Sequence, residues 1–135
     1  MKKLLLLLFL IPNLVMAELM EAHIYAECAG YIQVAKAVLL ARIPDAKQDK
    51  DGLSKLPRYI LLQQHSFYLH GVTKFMLSIK DKKNRDKKAD ALFKKKRDER
   101  VTALMKMYDN NTSKWAVQMK KDKKYCDLLY KLHDK

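Results

Sequence analysis

Glycine and proline are scarce in this chain, three of each in 135 residues. A turn-rich β fold draws heavily on both, because tight turns use glycine's positive φ and proline's fixed φ. Their scarcity points to long helices joined by few turns. Glutamate is scarce as well: Glu18, Glu21, Glu27 and Glu99 are the whole set, and no spacing among them marks a paired-carboxylate site. The histidines are His23, His65, His70 and His133. No H-E-x-x-H run or other metal-ligand spacing joins them, and His65 and His70, five apart, point to different sides of a helix. The chain also lacks a glycine-rich phosphate loop, a G-x-S-x-G elbow and a C-x-x-C pair. Each absence removes a class of readable enzyme. Action by binding is therefore the leading reading, and an enzyme with no readable motif is an alternative.

What is present begins with charge. Lys and Arg number 28 against 15 Asp and Glu, a formal net charge of +13. The length suits one domain with one core. At the N-terminus, Lys2 and Lys3 precede an apolar run from Leu4 to Ile11, and Val15-Met16-Ala17 follows. A charged start, a short apolar core and a small-residue site form a secretory signal peptide, so residues 1–17 are expected to be cleaved after Ala17. The apolar run is shorter than the roughly 20 residues a spanning helix needs. No transmembrane span is expected to remain after cleavage. Residues 18–135 then form a single helical domain in a periplasmic or secreted protein, the lysine-rich leader being of the bacterial type.

The helices are read from apolar spacing. Met20, Ile24, Cys28, Tyr31, Ala35 and Val38 recur at fours and threes, one face of a helix over Glu18–Ile43, widened by Tyr25, Ile32 and Leu39. Pro44 stops it, and Gly30 is either a weak spot or a place where a neighbour comes close. Residues 44–55 read as a solvated turn around Asp51-Gly52. Asp49, Asp51 and Gly52 match three positions of a calcium loop, but Lys47 and Arg58 stand where the terminal ligands belong. A second helix is expected from about Pro57 to Lys80, with Leu61, His65, Tyr68, Val72, Phe75 and Ile79 inward and Leu62, Leu69 and Met76 beside them. A third runs from about Asp86 to Tyr108, carrying Leu92, Phe93, Val101, Leu104, Met105 and Tyr108. After a turn over Asp109–Ser113, a fourth runs to His133 with Trp115, Met119, Cys126, Leu129 and Tyr130 inward. Asp122 and Lys123 interrupt that stripe.

The expected fold is all-α: a small four-helix, up-down-up-down bundle. The two cysteines, in an exported chain, pair as one disulfide. Helices one and four are antiparallel neighbours in such a bundle, and at 1.5 Å per residue Cys28 and Cys126 stand within about 3 Å of one height. The bridge joins the first and last helices and is worth about 4–5 kcal/mol in the chain-entropy model.

Two candidate sites follow. The first is a patch for an anionic partner: Lys82, Lys83, Arg85, Lys87, Lys88, Lys94, Lys95, Lys96 and Arg97, with a second cluster of Lys120, Lys121, Lys123 and Lys124. Such a surface suits an anionic envelope component or an acidic protein, in an accessory, chaperone-like or inhibitor and immunity role. No aromatic residues interleave with the lysines, so a stacking platform for single-stranded nucleic acid is not indicated. The second is a haem site. An exported four-helix bundle with a methionine early in helix one and a histidine late in helix four resembles cytochrome b562, and the resemblance implies Met20 and His133 as axial ligands. No other cofactor is indicated.

Overall fold

The computed structural model describes the backbone of residues 2–42 and 58–133 and the side chains of residues 17–41 and 58–132. The expected turn at 44–55, with Pro44 and Pro57 at its edges, lies outside the described residues, as do the side chains of leader residues 1–16 and of His133. Four helices make up the described chain: α1 (Lys2–Arg42), α2 (Arg58–Ser78), α3 (Arg85–Asn110) and α4 (Thr112–His133). The first and last are joined by the disulfide Cys28–Cys126, with a Cα–Cα distance of 5.6 Å.

The helix expected from Glu18 begins at Lys2, so the apolar leader run continues into α1 without a break. Among the described residues, the window Ala17–Ala41 is long and apolar enough to cross a membrane. Its side chains are used differently. Ala22, Tyr25, Ala26, Cys28, Ala29, Tyr31, Ile32 and Val34 are all buried within the bundle. With 3.6 residues per turn these positions surround the helix. A helix that is apolar all round must be enclosed, and over residues 22–34 the other three helices pack on α1.

The side-chain contacts give the helix directions. Lys36 reaches Gln64 near one end of the α1–α2 interface, and Lys74 reaches Glu18 and Glu21 near the other, so these helices are antiparallel. Around Asn111, Tyr108 packs edge-on to Trp115 and Arg100 pairs with Asp122, so α3 and α4 form an antiparallel hairpin. Gly30 lies against Arg97 and Arg100, while Val34 and Val38 share a cleft with Met105 and Tyr108, so α1 and α3 run parallel.

The bundle is not square in section. α1 packs on α3 more extensively than on α4, to which the disulfide ties it. Gly30 is the local cause. A Cβ at that position would lie 2.7 Å from the Arg100 Cβ and 2.7 Å from the Arg97 carbonyl oxygen. Close approach, the second of the two readings of this glycine, is what the structure uses it for. Gly71 does the same for α2, where a Cβ would run into the Phe93 ring.

Two local expectations are corrected. The inner stripe of α2 is rotated in part: Phe75 is buried and Tyr68, Val72, Met76 and Ile79 pack against the core as expected, but Ile60, Gln63, Ser66, Phe67 and Gly71 are buried as well, and Leu62, Leu69 and His65 are exposed. Hydrophobicity misplaced this face because polar and small residues occupy it. Gln63 is buried with its Nε2 donating to Asp127 Oδ1 at 2.8 Å, which offsets part of the cost of removing the amide from water, its Oε1 having no partner among the described residues. The expected turn at Asp109–Ser113 shrinks to a single extended residue, Asn111. Its N–H donates to the Met107 carbonyl, and its Oδ1 accepts the Lys114 N–H at 3.1 Å, capping α4. One asparagine thus serves both helix ends.

Candidate anionic-partner surface

The basic residues of the expected patch over Lys82–Arg97 fall into two groups. Lys82, Lys83, Lys87, Lys88, Lys94 and Lys95 are exposed, while Arg85, Lys96 and Arg97 flank the core and are half-buried. Local acids neutralise four of them: Lys88 pairs with Asp81, Lys94 with Asp90, Lys96 with Glu99 and Arg97 with Asp98. Asp90 also accepts a 2.6 Å hydrogen bond from the Tyr68 hydroxyl. That bond, with Lys94 beside it, holds the Asp90 carboxyl below the usual carboxylate range, so the Lys94 pairing persists over a wide pH range. Arg85 donates to the Lys80 carbonyl. The densest basic run in the sequence therefore presents a partly neutralised surface.

The α4 cluster is shorter but less neutralised. Lys120, Lys121 and Lys124 are exposed and have no acidic partner among the described residues. Lys123 pairs with Asp127 at 2.8 Å, and that hydrogen bond raises its pKa. Both described carboxylates of α4 are occupied. Asp127 accepts from Gln63 and Lys123, and Asp122 accepts from Arg100 at 2.7 and 2.9 Å and from Gln118 at 2.8 Å. The polar interruption at Asp122 and Lys123 is thereby explained: Asp122 joins α4 to α3, and Lys123 folds back along its own helix. Spacing along one helix carried no sign of the Arg100–Asp122 pair, whose partners stand 22 residues apart.

This pair supports a specific expectation. The side chains are only 25% and 14% exposed, so removing one partner leaves a largely desolvated charge. Asp122→Leu and Arg100→Met are each expected to lower unfolding free energy by about 2 kcal/mol, and the two together to cost less than the sum of the single changes. Urea titrations of the two single variants and the double variant measure the coupling. Additive losses would show that the pair contributes nothing beyond its parts.

Met20 does not fit the haem site that the resemblance implies. It is 62% exposed, whereas an axial ligand has to stand in the wall of an apolar pocket. His133 ends α4 with its side chain outside the described residues. A cleft of about 270 Å³ lies between α1, α2 and α3, with His65, Tyr68 and Arg97 on its wall. No nucleophile or carboxylate is hydrogen-bonded to His65 among the described residues, and the Tyr68 hydroxyl on the same wall donates to Asp90. Among the described residues no three His, Cys, Asp or Glu side chains cluster to hold a metal ion.

The fold defines a class: an all-α helical bundle whose first and last helices are joined by a disulfide. In comparisons with known proteins, no family model, no curated protein and no solved structure matches the chain.

Proposed function

We propose that this chain is a small exported protein that acts by binding an anionic partner, an envelope component or an acidic protein, in an accessory, chaperone-like or inhibitory role. In this reading residues 1–17 are a cleaved leader and the mature bundle works in the periplasm or outside the cell. The apolar start of α1 and the disulfide support that address, since such bonds persist in oxidising compartments. The observation that carries the binding reading is the charge arrangement on α4. Its two described carboxylates are occupied by Arg100, Gln63, Gln118 and Lys123, which leaves Lys120, Lys121 and Lys124 without acidic partners among the described residues. Uncompensated cations on one face attract an extended anionic surface more strongly than the same number of paired ones.

The test is retention of the oxidised chain on three anionic probes at low and high salt: phosphatidylglycerol vesicles, a sulfated polysaccharide and an acidic protein. Binding to at least one is expected, falling steeply with salt. Replacing Lys120, Lys121 and Lys124 by Gln is expected to weaken it more than replacing the paired Lys88 and Lys94. Failure of all three probes at low salt removes the reading.

A further inference from the structure

The outward face of α4 carries more than charge. Val117, Tyr125, Leu128 and Leu132 are 54%, 53%, 54% and 72% exposed. With 3.6 residues per turn, all four fall within an arc of about 80°. Lys114, Lys121, Lys124 and Lys131 stand among and beside them, each exposed and without an acidic partner among the described residues. The two carboxylates described on this helix, Asp122 and Asp127, lie off the arc and are engaged as above. α4 thus presents its core stripe to the bundle and a second stripe, apolar and cationic, to solvent.

We infer that this face of α4 is a docking surface for an anionic phospholipid bilayer, on which the helix lies in the plane of the interface. The inference rests on the anionic-partner reading and names the partner. Leu128, Leu132 and Val117 enter the boundary between headgroups and acyl chains, and Tyr125 sits at headgroup level with its hydroxyl toward water. The lysine stems pass along the same apolar layer and deliver their ammonium groups to lipid phosphates. A polysaccharide or a nucleic acid supplies anions but no apolar layer to receive two leucines and a valine. The bundle remains folded on the bilayer, because the inserting side chains are ones the core does not use.

The experiment uses the oxidised full chain as an exporting host yields it, its start fixed by mass spectrometry. Sedimentation is measured with vesicles of phosphatidylcholine alone and of phosphatidylcholine mixed with phosphatidylglycerol. Binding to the mixed vesicles and not to the neutral ones is expected. Leu128→Ala with Leu132→Ala should weaken it at least about tenfold, through lost apolar burial. Lys121→Gln with Lys124→Gln should weaken it about twenty-five-fold, about fivefold for each lysine near an anionic surface, and flatten the salt dependence. Circular dichroism and an unchanged disulfide confirm that the variants fold. Binding to the polysaccharide or the acidic protein without binding to mixed vesicles overturns this inference and leaves the broader reading standing. Vesicle binding that ignores the two leucines also overturns it, since the contact would then be headgroup electrostatics alone. Failure with every anionic probe removes both.

Discussion

Replacing both Cys28 and Cys126 by alanine is expected to lower the unfolding free energy by about 3–5 kcal/mol, the largest single effect in this molecule. The bond closes a segment with a sequence separation of 98, and a cross-link over so long a loop restricts the unfolded chain strongly in the entropy model. The native side adds to this. α4 packs lightly on α1 and more lightly still on α2, so its attachment depends on the hairpin with α3 and on this bond. Both cysteines are buried, and alanine leaves a small void where two sulfur atoms were. Urea unfolding followed by circular dichroism measures the loss, and the oxidised protein treated with a reductant should move toward the variant's midpoint. Hydrogen exchange should show α4 losing protection before α1 and α2. An unchanged midpoint would mean that the bundle holds α4 without the clamp.

Gly30→Ala is expected to destabilise the bundle by about 2 kcal/mol, and Gly30→Val by more. On an isolated helix the first change gains about 1 kcal/mol, because glycine is a poor helix former. Here the added methyl meets the Arg97 carbonyl and the Arg100 Cβ. Neither is the free end of a flexible side chain, so α3 has to move away from α1. That movement carries Arg100 from Asp122 and thins the layer of Phe93 and Leu104, both fully buried. The sign of the change therefore decides between local propensity and helix spacing. Thermal unfolding of the variant settles it, and a melting point at or above that of the parent protein would show that α1 and α3 need no such contact.

The sequence revealed elements better than faces. Helix positions in α2, α3 and α4 followed from apolar spacing within a few residues, and the cysteine heights were legible because a straight helix converts residue number to distance. The inner stripe of α4 was legible too: Trp115, Met119, Leu129 and Tyr130 pack against the core beside buried Cys126. α2 was read in part: Tyr68, Val72, Phe75, Met76 and Ile79 pack in or on the core, but its inner face also includes Gln63, Ser66 and Gly71, which a hydrophobic template passes over, while Leu62 and Leu69 point outward. In α3, Phe93 and Leu104 are buried as expected, but Leu92, Met105 and Tyr108 stay 39%, 43% and 44% exposed.

The candidate surface was only half legible. Counting lysines favoured the run over Lys82–Arg97, because a count is blind to which acids fold back onto it. Asp81, Asp90, Asp98 and Glu99 do so. It also ranked the shorter cluster of α4 second. The outer apolar stripe of α4 could not be separated from its core stripe, because both repeat with the same helical period and only the neighbours distinguish them.

The clamp has a mechanical consequence. A pull applied to the two ends of the chain enters along α1 as far as Cys28, crosses the disulfide to Cys126 and leaves through the last turns of α4. All of α2 and α3 lies inside the bridged segment and bears no tension while the bond is intact. Reducing one covalent bond would put the whole bundle under load. A protein pinned at its start and held at its end would keep its core through that single link.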